Sequence, residues 1–126
     1  MDTSTPTCRV WLVDDAGAVL LQDEWEAGRE LSTGILAYIQ RILARLDADW
    51  DGISGVVAYR GPGSFTGLRI GLTVLNTLSR AQQIPIVGVT GEGWLERGTA
   101  RLLSGENDTL VMPTYGAAPN ITKPRK

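Results

Sequence analysis

Apolar positions change period several times along this chain, and each change marks an element. From Cys8 to Asp14, Val10 and Leu12 alternate with Trp11 and Val13 in the two-residue period of a strand, and Ala18 to Glu24 supplies its hairpin partner. Asp14, Asp15, Ala16 and Gly17 between them are turn residues. From Leu31 to Leu46 the period lengthens to that of a helix. Ile35, Ile39, Ile42 and Leu46 form one stripe, Leu36 and Leu43 widen it, and Ser32 or Thr33 is the candidate N-cap. The continuous apolar run Gly55 to Tyr59, inside a strand expected over Ser54 to Tyr59, has the pattern of a buried strand. A second helix is expected from Thr66 to Gln82, with Leu68, Leu72, Leu75 and Leu78 on one face and Ile70 and Val74 on another. Ile84 to Val89 is the next strand, its Pro85 near the start where a missing donor is tolerated. Glu92 to Leu103 reads as a short helix and Thr109 to Met112 as a last strand.

This order predicts an α/β fold. A mixed sheet takes the hairpin strands and the two later strands, with both long helices packed on one side. At 126 residues the chain is expected to hold one domain, residues 1–112, followed by a tail, residues 113–126. The tail carries Pro113, Pro119 and Pro124 and few apolar side chains, so it needs a surface to lie on. Both helices carry apolar stripes wider than one sheet contact requires, which predicts a second interface along them.

The most informative stretch runs from Gly61 to Leu72, GPGSFTGLRIGL, where a strand end, a glycine turn and a helix start fall within a dozen residues. The signature turn comprises Gly61, Pro62, Gly63, Ser64, Phe65, Thr66 and Gly67. Ser64 and Thr66 are both candidate caps, and Gly67 allows a close approach. The turn is not a Walker loop, because Leu68 follows Gly67 where a lysine is needed. Nor does it fit the dinucleotide fingerprint, whose third glycine would fall one residue before Gly67 and whose acidic residue is replaced by Pro85, Ile86 and Val87. An anion nest at Gly61 to Gly67, in a small phosphate- or nucleotide-binding enzyme, stays open as an alternative function.

Composition narrows the chemistry. The chain has no histidine, which removes imidazole acid–base catalysis, Ser-His-Asp and Cys-His arrangements and imidazole zinc sites. Its single cysteine, Cys8, cannot form an internal disulfide and favours a reducing, cytoplasmic location. The remaining candidates are carboxylates: Asp14 with Asp15 in the hairpin turn, and Asp47, Asp49 and Asp51 around Trp50 in a connection. Both groups read as structural, so no catalytic residue, metal or cofactor is expected. A formal net charge of −2 argues against tight unaided binding of nucleic acid, and the sequence has no 18-residue apolar run to span a membrane.

Tyr59 to Gly71, YRGPGSFTGLRIG, resembles the signature of the bacterial TsaB/YeaZ family. Asp2 to Cys8, DTSTPTC, resembles that family's opening after its first strand. Ile84 to Val89 resembles the strand after its signature helix, and Pro113 to Lys126 its C-terminal tail. Three features depart from the family pattern. Met1 stands where a hydrophobic strand usually precedes the DTS element, about twenty residues separate Gly93 from Pro113 where a second domain usually lies, and Glu30, Leu31 and Ser32 occupy the region of a common histidine. The expectation is a minimal form of the family with most of the second domain missing.

The resemblance implies the actin-like, ribonuclease-H-like ATPase (ASKHA) fold, as a single N-terminal-type domain with a degenerate cleft. It also implies a non-catalytic partner of the TsaD enzyme, which transfers threonylcarbamoyl from its adenylate to the tRNA adenosine beside the anticodon. A TsaE-like ATPase would join through the complex, tRNA would be met only there, and a homodimer would form when the chain is alone. Carried onto this chain, the partner interface would use Ile35, Ile39 and Ile42 of the first helix and Leu68, Arg69, Leu72 and Leu75 of the second. Arg69 sits near a helix N-terminus, the wrong end of the dipole for a cation, so a carboxylate of a partner or Glu30 is its expected mate. Lys123, Arg125 and Lys126 are candidates for contact with tRNA.

Overall fold

A computed structural model describes residues 1–114 of the chain. Strands β1 (Thr7–Val13) and β2 (Val19–Glu26) form an antiparallel hairpin, and helix α1 (Leu31–Ala44) follows a 3-10 turn at Gly28–Glu30. A second 3-10 turn at Trp50–Gly52 leads to β3 (Val56–Tyr59), α2 (Phe65–Gln82), β4 (Ile86–Val89) and α3 (Trp94–Leu103). β3 and β4 pair in parallel, Val56 opposite Ile86 and Tyr59 opposite Val89. As the turn residues predicted, Asp14 closes the hairpin: its carboxylate accepts from the amides of Ala16 and Ala18, each at 2.9 Å.

The two pairs are spliced by two residues. The Met1 amine donates to the Val57 carbonyl at 2.9 Å, and the Tyr59 amide donates to the Met1 carbonyl at 3.0 Å. Asp2 and Arg9 exchange both backbone bonds, at 2.9 and 3.0 Å. The expected mixed sheet is therefore present as two two-stranded sheets with a short bridge between them.

The strand alternation decides where the helices go. Cys8 and Val10 point to one face and pack with Leu31, Ile35, Tyr38, Ile39 and Ile42 of α1. Val56, Ala58 and Ile86 point the same way and pack with Leu72 and Leu75 of α2. The intervening positions face α3, where Gly98 lies against Val57 and the Trp94 ring stands 5.3 Å from Trp11 and 5.5 Å from Tyr59. Both long helices thus cover one face and α3 covers the other.

Three local expectations need correction. Neither Ser32 nor Thr33 caps α1; both lie in its first turn, Thr33 Oγ1 donates to the Glu30 carbonyl, and the 3-10 turn starts the helix without a side-chain cap. Ser64, not Thr66, caps α2, its Oγ accepting from the Gly67 amide at 3.3 Å. Residues 109–112 form no strand. Thr109 has φ +70°, and side chains replace the ladder: Asn107 Oδ1 accepts from the Ile86 amide at 3.1 Å and Asp108 Oδ2 from the Gly88 amide at 2.8 Å. Asn76 of α2 then bonds both the amide and the carbonyl of Val111 at 2.9 Å. The outer edge of β4 is thereby covered by a laced loop. Most of the expected tail, including Pro119, Lys123, Pro124, Arg125 and Lys126, lies outside the described residues.

Candidate partner-binding face and the glycine turn behind it

The signature turn is filled by the chain's own opening segment. Thr3, 3% exposed, lies against Gly67 and Gly71, and its hydroxyl donates to the Gly67 carbonyl at 2.7 Å. A Cβ at Gly67 would overlap the Thr3 carbonyl oxygen, and one at Gly71 would overlap Thr3 Oγ1. Those two glycines exist to let Thr3 in. Ser4 continues the contact: its carbonyl accepts from the Ser64 amide at 2.8 Å, and its own amide donates to Asp2 Oδ1 at 2.8 Å. The amides of Ser64, Gly67 and Leu68 are therefore all engaged, by Ser4, by Ser64 Oγ and by the Ser64 carbonyl. Gly61, at φ +124°, sits beneath the Thr114 carbonyl, and Tyr59 donates its hydroxyl to the Pro62 carbonyl at 3.2 Å. Phe65 and Thr66 open α2 on the exposed side of the turn.

Behind this turn, α1 and α2 run side by side, with Ile70 and Val74 half-buried where α2 meets the core under α1. The apolar side chains assigned from sequence to a partner interface are mostly inside the domain. Ile35, Ile39, Ile42, Leu68, Leu72 and Leu75 are between 0% and 6% exposed. Each helix needs its wide stripe because it packs on the sheet and on its neighbour, so these side chains are not left in water. What the helices turn outward is a different set: Leu36, 58% exposed, and Phe65, 54% exposed, with Arg69 among the exposed positions. The Arg69 guanidinium lies 5.2 Å over the Phe65 ring one turn earlier and, among the described residues, forms no ion pair with Glu30. An apolar ring carrying a cation is a surface suited to a carboxylate-bearing partner.

Sequence reasoning missed two charged clusters. Tyr38 donates to Asp23 Oδ2 at 2.7 Å while Arg45 donates to Asp23 Oδ1 at 3.1 Å, locking α1 to β2. The Tyr38 bond first, then Arg45, holds the Asp23 carboxyl below its usual range, and burial followed by the Asp23 bond pushes the Tyr38 phenol up. On the other face Arg101 joins Glu106 at 2.7 Å, Asp108 at 2.5 Å and the Gly88 carbonyl at 3.0 Å. Burial works to raise Asp108, but the Gly88 amide and Arg101 outweigh it and keep it low. The Asp23 cluster joins residues 15 and 22 positions apart, so no local pattern could signal it, whereas Glu106 and Asp108 stand five and seven residues after Arg101, a spacing that periodicity alone does not single out. Asp49 caps the Trp50 turn through its Oδ1 at 2.8 Å, and Cys8 is buried with its thiol pushed up to about 11 by burial. Among the described residues no group of three His, Cys, Asp or Glu is placed to hold a metal, and no helix is long and apolar enough to cross a membrane.

With that geometry in place, comparison with known proteins is informative. Residues 25–108 match the family model described as TsaD, tRNA N6-adenosine threonylcarbamoyltransferase. The chain is 34% identical over 110 residues to the tRNA threonylcarbamoyladenosine biosynthesis protein TsaB of Escherichia coli strain K12, an alignment covering 82% of this chain and 47% of that protein. It is 38% identical over 63 residues to the tRNA N6-adenosine threonylcarbamoyltransferase of Rippkaea orientalis, covering 50% of this chain and 18% of that enzyme. Among solved structures it superposes on YeaZ from Pseudomonas aeruginosa with a TM-score of 0.63 at 30% identity, over 71% of this chain and 41% of that one. The chain thus spans about half the length of the curated TsaB relatives it matches.

Proposed function

The chain belongs to the TsaB/YeaZ family, and from that premise we propose that it serves threonylcarbamoyladenosine biosynthesis in tRNA as a non-catalytic scaffold. It dimerises with a TsaD-like catalytic subunit through the outer face of α1 and α2. The observation that carries this reading is the contrast between a turn whose inner side is packed by Thr3 and Ser4 and a helix face that presents Leu36, Phe65 and Arg69. The absence of histidine and the structural employment of Asp14 and Asp49 support leaving catalysis to the partner. In the same scheme the chain forms a homodimer through that face when alone and exchanges it for the TsaD-like subunit. A TsaE-like ATPase and tRNA are engaged only through the assembled complex, in the cytoplasm.

The test mixes the purified chain with the TsaD-like subunit of the same organism and follows mass by light scattering and tRNA modification in a reconstituted assay. A one-to-one complex, dissolution of the homodimer and increased modification are expected. Two components that stay separate, with modification indifferent to the chain, would contradict the proposal. The alternative of a small phosphate- or nucleotide-binding enzyme gains nothing from the turn, since Thr3 and Ser4 occupy its inner side and its Ser64, Gly67 and Leu68 amides already have acceptors.

A further inference from the structure

Arg60 directly follows β3, and Arg97 and Arg101 stand one helical turn apart on α3. With Gly88 and Thr90 at the end of β4, these guanidiniums line one cavity of about 510 Å³. No acidic side chain is among its lining residues, and it opens to solvent where Arg97 and Ala100 are exposed. The arginines are engaged unequally. Arg101 is neutralised by Glu106 and Asp108. Arg60 gives its Nε to the Met112 carbonyl at 2.9 Å, and Arg97 gives Nη1 to the Glu92 carbonyl and Nη2 to the Thr90 carbonyl. Carbonyl oxygens fix a guanidinium without cancelling its charge. Among the described residues neither Arg60 nor Arg97 has an ion pair. Asp108 feels the charge of Arg60, but its oxygens are bonded to the Gly88 amide and to Arg101.

We infer that this groove docks the phosphate backbone of RNA, which is tRNA under the function proposed above, on which the inference rests. The carbonyl bonds hold the guanidiniums in place while donors stay free: both Nη groups of Arg60 and the Nε of Arg97 have no acceptor among the described residues, and such forks match phosphate oxygens. No aromatic side chain lines the groove to stack a base, so it suits a backbone better than a free nucleotide. The chain continues in the same sense. Thr114, the last described residue, gives its amide to the Arg60 carbonyl at 2.7 Å, and residues 115–126 bring Lys123, Arg125 and Lys126 but no Asp or Glu. Arg97 and Arg101 lie between Gly93 and Pro113, where the family pattern usually places a second domain; the groove is built by what this chain has in its place. A net charge of −2 over the whole chain limits the groove to a few phosphate contacts, which add to a partner's hold on the RNA rather than replace it.

Unmodified tRNA is titrated into the complex of the full chain with the TsaD-like subunit, from about 50 to about 200 mM salt, using the parent, Arg97→Gln and Arg97→Lys. Arg97→Gln should bind about fivefold more weakly and lower the slope of log affinity against log salt by about one, with the mass of the protein complex unchanged in light scattering. Arg97→Lys should keep the slope, because an ammonium still meets a phosphate as a point charge although it cannot make both carbonyl bonds. A chain that does not pair with the subunit defeats the scaffold reading but leaves the groove testable: the same three proteins are then titrated alone at low salt, and the same order is expected. No binding of tRNA by the parent in either setting, or equal affinity and slope for the parent and Arg97→Gln, would overturn the site. Equal losses in Arg97→Gln and Arg97→Lys would overturn the phosphate contact and assign Arg97 to holding Thr90 and Glu92. Saturable binding of inorganic phosphate, lost in Arg97→Gln, without binding of tRNA would overturn RNA as the occupant.

Discussion

The inner side of the glycine turn and the outer face of the helix it anchors are built on opposite principles. On the inner side, Thr3 and Ser4 press against Gly67, Gly71 and Gly63, and the amides of Ser64, Gly67 and Leu68 have acceptors within the chain. On the outer face, Leu36 and Phe65 are more than half exposed, and Arg69 lies on a ring and, among the described residues, on no carboxylate. A substitution on the inner side should therefore be felt as stability and one on the outer face as association. The difference teaches that a glycine-rich signature can be used to hold a helix still, its glycines taken up by the chain's own opening segment.

The sharpest way to break the comparison is to fill the inner contact. Gly71→Val places side-chain atoms where Thr3 Oγ1 and Cβ now lie, and overpacking of this kind costs about 3 kcal/mol. Chemical denaturation should show that loss; a variant as stable as the parent would mean that Thr3 is not held there.

A milder probe uses pH on the same segment. Burial lowers the Met1 amine in the folded chain to about 6, against 8.0 for its ordinary value. Between those values the unfolded chain binds more protons than the folded one, so stability rises as pH increases from 6 to 8. The gain is at most about 2 kcal/mol, since Met1 remains partly exposed. Denaturation midpoints compared at pH 6 and pH 8 measure it, and a flat profile would place the amine in water.

How much of this was legible in the sequence follows from the range of the forces involved. The hairpin, both long helices and the β3 to α2 turn were legible because each rests on local periodicity or on turn residues such as Asp14 and Gly17. The side of the sheet taken by the helices also followed, because alternation places Val10 and Ala58 on one face. The burial of the apolar interface candidates was not legible. A periodic stripe such as Ile35, Ile39 and Ile42 records that a face is buried but not against what, and here the neighbouring helix and sheet consume it. The last strand failed for a related reason: Leu110, Val111 and Met112 have the composition of a strand, but Asn107, Asp108 and Asn76 supply side-chain bonds that hold the segment as a loop.

α1 offers a smaller test of the anchored side. Tyr38→Phe removes the donor to Asp23 while leaving the ring against Trp25, whose centroid is 5.1 Å away. A loss of about 1 kcal/mol is expected near neutral pH. Because Tyr38 holds the Asp23 carboxyl low, the folded stability it brings is present above the ordinary carboxylate range and fades as pH falls through the lowered value. The difference between parent and variant should therefore shrink in acid, and a constant difference at all pH values would assign the loss to packing alone.

The measurement that tests the central claim most directly is the affinity of Arg69→Ala for the TsaD-like subunit, taken beside its denaturation midpoint. Arg69 is exposed and, among the described residues, has no ion pair within the domain. The account predicts a midpoint unchanged within about 0.5 kcal/mol, binding weakened about tenfold or more, and lower tRNA modification in the reconstituted assay. Unchanged affinity and unchanged modification would contradict it and assign Arg69 to the solvated surface.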